Sequence, residues 1–255
     1  GYEFNGEILT DLDEAEIKEV LEAYRGKIDA LAIVGVFSSL KEEQELRVGE
    51  IAQEIFGDEV SISYSHKIGS VGLIERENAT ILNAALYKVI AACTDGFNAA
   101  LVAEGIQQAK TYLCQNDVTL MSLEYARQFP VLTIACGPTN SIRGAAYLSG
   151  YKDALILDIG GTTSDIGVIA NGFPRESSVA VEIGDVRTNF RMPDIVSIGI
   201  GGGSIVKVAD NGTVSVGPES VGYEITKHAL VFGGDVLTAT DIAVRLGKAK
   251  VGDAA

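Results

Sequence analysis

The chain has 255 residues, 47% of them hydrophobic, so it is long enough to bury one large core or two small ones. A formal net charge of -15 and the lack of any lysine and arginine cluster argue against a nucleic-acid partner, because phosphate backbones require concentrated positive charge. No apolar run reaches the ~18 residues that predict a membrane span, and the polar start GYEFNGEIL is not typical of a signal peptide.

The cysteines and histidines predict neither disulfides nor a metal centre. Cys93, Cys114 and Cys136 are widely spaced, odd in number and outside any CxxC motif, which favours a reduced, cytoplasmic protein. Small buried apolar roles are the expectation for these cysteines. His66 and His228 lie far apart and match no metal-ligand spacing.

The first quarter of the chain alternates between helical and strand patterns, which is typical of a layered α/β fold. In chain order the pattern predicts a hairpin with a type I′ turn at Asn5-Gly6, a helix capped by Asp11 and Glu14 that runs to about Arg25, a buried strand over 28–37, a helix capped by Ser39 and Glu42 that ends near Phe56, and a strand over 60–64.

The next section is mainly helical by pattern. An alanine-rich apolar stripe runs over 75–114, which is too long for one ordinary helix, and a break is expected at 94–96. It opens with Glu75, Arg76 and Glu77, a charge run whose usual fate is to be solvated. The pattern then predicts a strand over 118–121, a helix over 123–128, a buried strand over 131–135, and a helix that starts after Gly137–Ser141 and ends at 149–150. The glycine and polar residues at the N-terminus of that last helix either bind an anion or simply cap the helix.

The chain is organised around the stretch from Asp153 to Asn171, DALILDIGGTTSDIGVIAN. An apolar strand ends on Asp158, a glycine- and hydroxyl-rich loop follows, and the chain turns apolar again after Asp165. The prediction is therefore strand, polar loop and strand, with a carboxylate at each edge of the loop.

The residues of that loop allow two interpretations. Consecutive glycines allow the backbone to approach a ligand and present N–H groups to a phosphate, and threonine hydroxyls can add donors. Asp158 and Asp165 would repel a bare phosphate, so they suit a site in which Mg²⁺ lies between or one carboxylate orients a water. The same residues would also suit a hairpin turn that needs glycine and threonine for its geometry alone.

The remaining chain is β-rich with one helix at its end. Strands are predicted over 177–183 and 194–200, a hairpin over 204–216 and a helix capped by Thr238 and Asp241 that ends at about Leu246. The sequence GIGGGS at 199–204 is not a dinucleotide fingerprint, because the residues after it predict a strand rather than the helix a Rossmann loop requires.

Several stretches, in order, resemble landmarks of the hydantoinase/oxoprolinase A-type proteins of the actin-like ATPase superfamily. DIGGTTSDIGVI resembles the second phosphate loop of that family. The other similar stretches are SHKIGSVGLIERENATILNA (65–84), CGPTNSIRGAAYL (136–148), SIGIGGGSIV (197–206), LVFGGD (230–235) and LTATDIAVRLG (237–247).

The resemblance implies an α/β, ribonuclease-H-like fold, a mixed sheet flanked by helices, with a nucleotide between two lobes. It implies the remainder of an N-terminal α/β lobe over 1–75 and an actin-like middle lobe over 76–255. The implied cofactors are ATP and Mg²⁺. The residues implied to cradle phosphates or pack on the nucleoside are Gly160, Gly161, Thr162, Thr163, Gly201, Gly202 and Gly203. Asp158 would hold Mg²⁺ through water, and Asp165 would hold metal or position the attacking group, which makes both carboxylates catalytic.

The activity implied is ATP-dependent opening of a cyclic amide such as 5-oxoproline or a hydantoin through carbonyl phosphorylation. This sequence departs from the family in having only one such loop, in Val118 where glycine is usual and in Cys136 where serine is usual. The expectation is a middle-domain fragment or shortened relative that needs a second subunit or an N-terminal lobe. The alternatives are a subunit of an ATP-dependent ketone carboxylase and a non-catalytic nucleotide-binding or scaffolding module.

Overall fold

The structure is a computed structural model that describes residues 1–69, 72–177, 181–183, 186–188 and 192–251. The helices are α1 (Glu14–Ala23), α2 (Glu43–Phe56), α3 (Ser65–Ile68), α4 (Leu73–Ala85), α5 (Tyr87–Ala103), α6 (Leu123–Gln128), α7 (Cys136–Ser149), α8 (Ile225–His228) and α9 (Ala239–Arg245). The strands are β1 (Ala30–Ile33), β2 (Ser61–Tyr64), β3 (Tyr112–Cys114), β4 (Leu120–Ser122), β5 (Ala154–Ile159), β6 (Ser164–Ala170), β7 (Phe173–Pro174), β8 (Val181–Ile183), β9 (Val186–Thr188), β10 (Ile195–Ile198), β11 (Ser204–Val208) and β12 (Val214–Ser220).

The chain forms two compact units, one of residues 1–136 and 176–192 and the other of residues 137–175 and 193–255. Both mix helices with sheets. The division at residue 75 that the sequence suggests stays a prediction. In the described part of the chain no helix is long and apolar enough to cross a membrane.

The first unit is built on a parallel pair of strands, β1 and β2, joined through α2. Helices α1 and α2 pack beside this pair, and the apolar side of α2 is buried. The core cluster contains Leu21, Ile51, Ala52, Ile55, Phe56 and Val60. The sequence pattern located both strands and the end of α2, because these elements carry their own apolar periodicity.

Local capping and turn geometry in this unit differ from the predictions. The N-terminal hairpin exists, with Tyr2 bridging Ile8, but only Gly6 of the turn pair has a positive φ, so a type I′ turn is wrong. The N-cap of α1 is Asp13 rather than Asp11, because the Asp13 carboxylate accepts hydrogen bonds from backbone amides of the first turn.

The second helix and the first strand also depart from their predicted limits. The N-cap residue of α2 is Glu42, and no side chain caps it, so the predicted capping box with Ser39 is wrong. The strand over 28–37 shortens to Ala30–Ile33. The chain leaves the sheet there, and the Gly35 amide donates to Glu45 Oε1 at 2.7 Å instead of to a neighbouring strand.

The helical stretch breaks earlier than predicted. Helix α4 ends at Ala85, and α5 continues through the expected break at 94–96 as far as Ala103. Thr94 is tolerated because its hydroxyl donates to the Ile90 carbonyl at 2.8 Å. The predicted helix over 123–128 is confirmed as α6. The strand before it begins at Leu120 rather than at residue 118.

The apolar run over 131–135 is not a strand, and of its residues only Val131 is fully buried. Residues Pro130–Thr133 form a 3₁₀ turn. The Val131 amide donates to Asn83 Oδ1 at 3.2 Å, and the Asn116 amide donates to the Leu132 carbonyl at 2.8 Å. Loop and side-chain partners thus replace a strand neighbour, and an apolar run alone does not separate these two cases.

Two further side-chain expectations are wrong. Arg76 is only 2% exposed rather than solvated. Its guanidinium donates to Ser65 Oγ at 3.0 Å and to the Gly35 carbonyl at 2.6 Å. Cys93 is exposed rather than buried, and Cys114 and Cys136 are half-buried.

The second unit is built on an antiparallel sheet ordered β10-β6-β5, with β7 paired to β6. Helix α7 covers one face of this sheet, where Ile142 and Ala146 pack against Ile169. Gly167 allows this close approach, since a Cβ there would lie 2.1 Å from Ile142 Cδ1. The core of the unit therefore lies between α7 and the sheet.

The C-terminal predictions are largely confirmed. Strands β11 and β12 pair as the expected hairpin, and Thr238 and Asp241 form the predicted capping box of α9. The strand over 194–200 is shorter, ending at Ile198. Of the strand over 177–183, residues 178–180 lie outside the described residues, and Val181–Ile183 pairs with β9.

Candidate functional site

The predicted strand, loop and strand is a tight hairpin in the second unit. Strands β5 and β6 pair antiparallel, and Asp158 lies directly opposite Asp165 in the register. The loop between the strands closes with the Gly160 amide donating to the Thr163 carbonyl at 2.8 Å. The two carboxylates are therefore held next to each other at the mouth of the loop.

The second glycine segment packs directly on this loop. The Gly202 amide donates to the Gly160 carbonyl at 3.0 Å, and the Gly203 amide donates to the Gly161 carbonyl at 2.6 Å. A Cβ on Gly201 would lie 2.7 Å from the backbone of the loop, so a side chain does not fit there. The structure thus brings together the two glycine segments that the sequence separates by about forty residues.

This contact determines which way the loop amides point. In a trans peptide the N–H is directed opposite to the preceding C=O. Since the Gly160 and Gly161 carbonyls face the second glycine segment, the amides of Gly161 and Thr162 face away from it, on the open side of the loop. Within the described residues neither amide has a hydrogen-bond acceptor. Two neighbouring, unbonded N–H groups that point the same way are an arrangement that binds anions.

The two aspartates differ in their surroundings. Asp165 is 9% exposed, and Ser197 Oγ donates to its Oδ1 at 2.5 Å. Thr163 Oγ1 lies 3.5 Å from the other Asp165 carboxylate oxygen. Asp158 is half-buried, and within the described residues its carboxylate makes no hydrogen bond or ion pair. Adjacent like charges without a counter-ion repel each other, and a cation bound beside them would relieve the repulsion.

The protein ligands at this point are too few for a closed metal centre. Among the described residues no group of three or more histidine, cysteine, aspartate or glutamate side chains could hold a metal ion. Mg²⁺ usually keeps several waters and takes one or two carboxylates together with substrate phosphates. The Asp158 and Asp165 pair therefore fits an ion that arrives with a phosphorylated ligand.

Hydroxyl groups hold the glycine segment in place. Ser164 Oγ donates to the Ile200 carbonyl at 2.6 Å. The amide and Oγ1 of Thr240 both donate to the Gly202 carbonyl, each at 2.8 Å. Sequence reasoning missed Ser197 and Thr240, because isolated hydroxyl residues carry no pattern that marks them as neighbours of a distant loop.

The start of α7 lies at the same end of the sheet as the loop. The helix leads through the short link 150–153 into β5, so it runs back along the sheet with its first turn towards the loop end. The helix begins at Cys136, so Gly137–Ser141 lies within its first two turns rather than before it as predicted, and Thr139 is fully buried. Whether this helix end takes part in anion binding stays a prediction.

One family of proteins matches almost the whole chain. The description Hydantoinase/oxoprolinase matches residues 76–253, and Hydantoinase/oxoprolinase N-terminal region matches residues 1–56. The chain belongs to the hydantoinase/oxoprolinase family. The family resemblance found in the sequence is therefore confirmed.

Relatives in this family include enzyme subunits. The acetophenone carboxylase gamma subunit of Aromatoleum aromaticum is 28% identical over 253 residues, which cover 95% of this chain and 34% of that protein. Caprolactamase subunit alpha of Pseudomonas jessenii is 26% identical over 250 residues, which cover 95% of this chain and 35% of that protein. The chain thus spans about a third of the length of these relatives.

Solved structures of the family share the fold. A nucleotide-free structure from work on ATP-dependent acetone carboxylation superposes with a TM-score of 0.77 at 22% identity, covering 98% of this chain and 36% of that one. The ATP-dependent caprolactamase of Pseudomonas jessenii superposes with a TM-score of 0.71 at 23% identity, covering 99% of this chain and 37% of that one. The mixed helix and sheet architecture of this hydantoinase/oxoprolinase chain is shared with both, and the ribonuclease-H-like, actin-like description stays a prediction.

Proposed function

We propose that this chain is the nucleotide-binding part of an ATP-dependent enzyme and that the Gly160–Thr163 loop binds the phosphates of ATP. The observation that carries the proposal is the pair of outward amides of Gly161 and Thr162, whose preceding carbonyls are bonded to the second glycine segment. Preorganised N–H donors of this kind are suited to a phosphate chain. The hydroxyls of Thr162 and Thr163 can add further donors.

In this proposal Mg²⁺ accompanies the nucleotide and interacts with Asp158 through water. Asp158 is the better candidate of the two carboxylates, since its oxygens carry no hydrogen bond from the described chain, whereas Asp165 is already bonded by Ser197. Asp165 would then act beside the metal, either as a second charge or by positioning the attacking group. Gly201, Gly202 and Gly203 would pack against the nucleoside.

The reaction we propose is the opening of a cyclic amide. The carbonyl oxygen of the ring amide attacks the γ-phosphorus, the bond to the β-phosphate oxygen breaks, and ADP leaves. Water then adds to the activated carbon, and the ring C–N bond breaks with protonation of the nitrogen to leave an acyl phosphate. A second water attacks the same carbon, and phosphate leaves with the original oxygen, so both carboxylate oxygens come from water. Support comes from the relatives, among which are an ATP-dependent caprolactamase and two 5-oxoprolinases. A metal with fixed donors is the expected means of stabilising such a phosphoryl transfer.

A second candidate is a subunit of an ATP-dependent ketone carboxylase. It is favoured by the match to the acetophenone carboxylase gamma subunit and by the acetone carboxylase structure. Both candidates use the same ATP site and differ in the acceptor of the phosphoryl group. Several relatives are named as subunits, which supports a second subunit as the partner that supplies the acceptor site.

The test is a calorimetric titration of Mg·ATP into this chain. We expect binding that Asp158→Ala abolishes, with Asp210→Ala, an exposed carboxylate of the same unit, as the matched control. Phosphate release with 5-oxoproline or caprolactam, compared with acetone and bicarbonate, would then separate the two reactions. A folded chain that gives no binding heat would overturn the proposal for this chain and favour the non-catalytic scaffolding alternative.

A further inference from the structure

We propose that Thr240 is a positioning residue for the phosphate loop, which it reaches through the Gly202 peptide; this inference rests on the proposed ATP site. Thr240 lies in α9, outside the loop and outside the second glycine segment. It donates twice to the Gly202 carbonyl, from its amide and from Oγ1, each at 2.8 Å. No other residue of the described chain bonds that carbonyl.

The Gly202 residue that Thr240 holds is itself hydrogen-bonded to the phosphate loop. On its amide side, Gly202 donates to the Gly160 carbonyl at 3.0 Å. The orientation of the Gly160 carbonyl in turn fixes the outward direction of the Gly161 amide, because both belong to one peptide plane. A rotation of the Gly202 region would therefore turn a proposed phosphate donor away from the ligand.

Thr240 itself is held in a fixed position. Thr240 is in the first turn of α9, where Thr238 and Asp241 form a reciprocal capping box. Asp241 also accepts the Val231 amide at 2.7 Å, so the turn is tied to the preceding segment. A side chain on a fixed helix end can hold a glycine segment, which by itself has many accessible backbone conformations.

Steric contact points to the same pair. A Cβ on Gly202 would lie 2.8 Å from Thr240 Oγ1, whereas its next neighbour, the Gly160 carbonyl oxygen, is 3.9 Å away. A methyl group at this position would therefore displace the hydroxyl from the carbonyl it bonds. Gly202→Ala and Thr240→Ala remove the same hydrogen bond by different routes.

The experiment is a double-mutant cycle in which calorimetry measures the Mg·ATP affinity of each variant. We expect Thr240→Val to weaken binding about threefold to tenfold, as is typical for the loss of one hydrogen bond. Thr240→Ser should restore binding, since it keeps the hydroxyl. Gly202→Ala and Thr240→Ala together should weaken binding by less than the product of their separate effects, because they share one contact.

Controls separate positioning from folding and from the proposed function. Thr213→Val makes the same chemical change at an exposed hairpin position of the same unit and should leave binding unchanged. Thermal unfolding of each variant checks that the unit is folded. If the unaltered chain does not bind Mg·ATP, the proposed function fails. If it binds and Thr240→Val binds equally well, or the cycle is fully additive, Thr240 has no positioning role.

Discussion

Asp158 and Asp165 lie opposite each other across the β5–β6 ladder, yet in the described part of the chain only Asp165 accepts hydrogen bonds from side chains, those of Ser197 and Thr163. Like charges in directly opposed cross-strand positions destabilise a sheet. Negative charge at both positions therefore lowers the free energy of unfolding in the absence of a cation. The arrangement suits a ligand that brings positive charge with it.

The first prediction is that Asp158→Asn stabilises the metal-free chain while it prevents Mg·ATP binding. Removing one charge of the pair should raise the free energy of unfolding by about 0.5 kcal/mol. Urea unfolding in the presence of a chelator measures this change. Asp210→Asn is the control, with no change expected. A lower stability of Asp158→Asn would mean that the carboxylate has a structural role instead.

The second prediction concerns Ser197. Its Oγ donates to the buried Asp165 carboxylate at 2.5 Å, so Ser197→Ala should lower the free energy of unfolding by about 1–2 kcal/mol, the usual effect of removing a hydrogen bond to a charged group. Ser215→Ala, at an exposed strand position, is the matched control. Equal unfolding midpoints for the two variants would show that Asp165 does not depend on this hydroxyl.

The third prediction tests the contact between the glycine segments. Gly201→Ala places a methyl 2.7 Å from the loop backbone, so the loop must move and the free energy of unfolding should fall by about 2 kcal/mol. Nucleotide binding should be lost as well. Gly144→Ala in α7 meets no atom within 4 Å and should stabilise the chain slightly, as alanine favours helices. Similar effects of the two changes would contradict the close contact.

Local patterns predicted the elements whose hydrogen bonds are local. The β5–β6 hairpin follows from two apolar runs around GGTT, and the α9 cap follows from Thr238 and Asp241 three residues apart. In each case the partner groups lie within a few residues, so the sequence shows both halves of the interaction.

The features that failed depend on distant residues. Nothing near Arg76 in the chain indicates that Gly35 and Ser65 bury it. The run at 131–135 is apolar enough for a strand, but the Val131 amide donates to the side chain of Asn83 instead of to a neighbouring strand. The family resemblance implied that both glycine segments bind the nucleotide, but it did not imply that they contact each other. Tertiary partners decide such cases, and one sequence does not reveal them.

The fourth prediction is that Arg76→Leu destabilises the first unit strongly. The guanidinium is buried and bonds Ser65 Oγ and the Gly35 carbonyl, and the buried Glu45 carboxylate lies next to the same serine. Removing the positive charge should lower the free energy of unfolding by about 3 kcal/mol. Arg25→Leu breaks an exposed pair with Glu22 and should change the urea midpoint very little. A small effect of Arg76→Leu would mean that water replaces the guanidinium.

The fifth prediction is an acid-dependent loss of stability that originates at Glu45. Burial raises the pKa of this carboxyl, but hydrogen bonds from Ser65, His66, Ser38 and the Gly35 amide outweigh burial and hold the pKa below its ordinary value of 4.5. The stabilisation is therefore complete above 4.5 and is lost as the pH falls through the lower folded-state value, because the unfolded chain takes up the proton first.

Glu45→Gln should therefore unfold more easily than the unaltered chain at neutral pH, and the difference should shrink between about pH 5 and pH 3. Urea unfolding across that pH range measures this difference in stability. Glu54→Gln, an exposed carboxyl of the same helix, is the matched control and should give a constant difference. A difference for Glu45→Gln that stays constant down to pH 3 would show that this carboxylate is not the origin of the acid sensitivity.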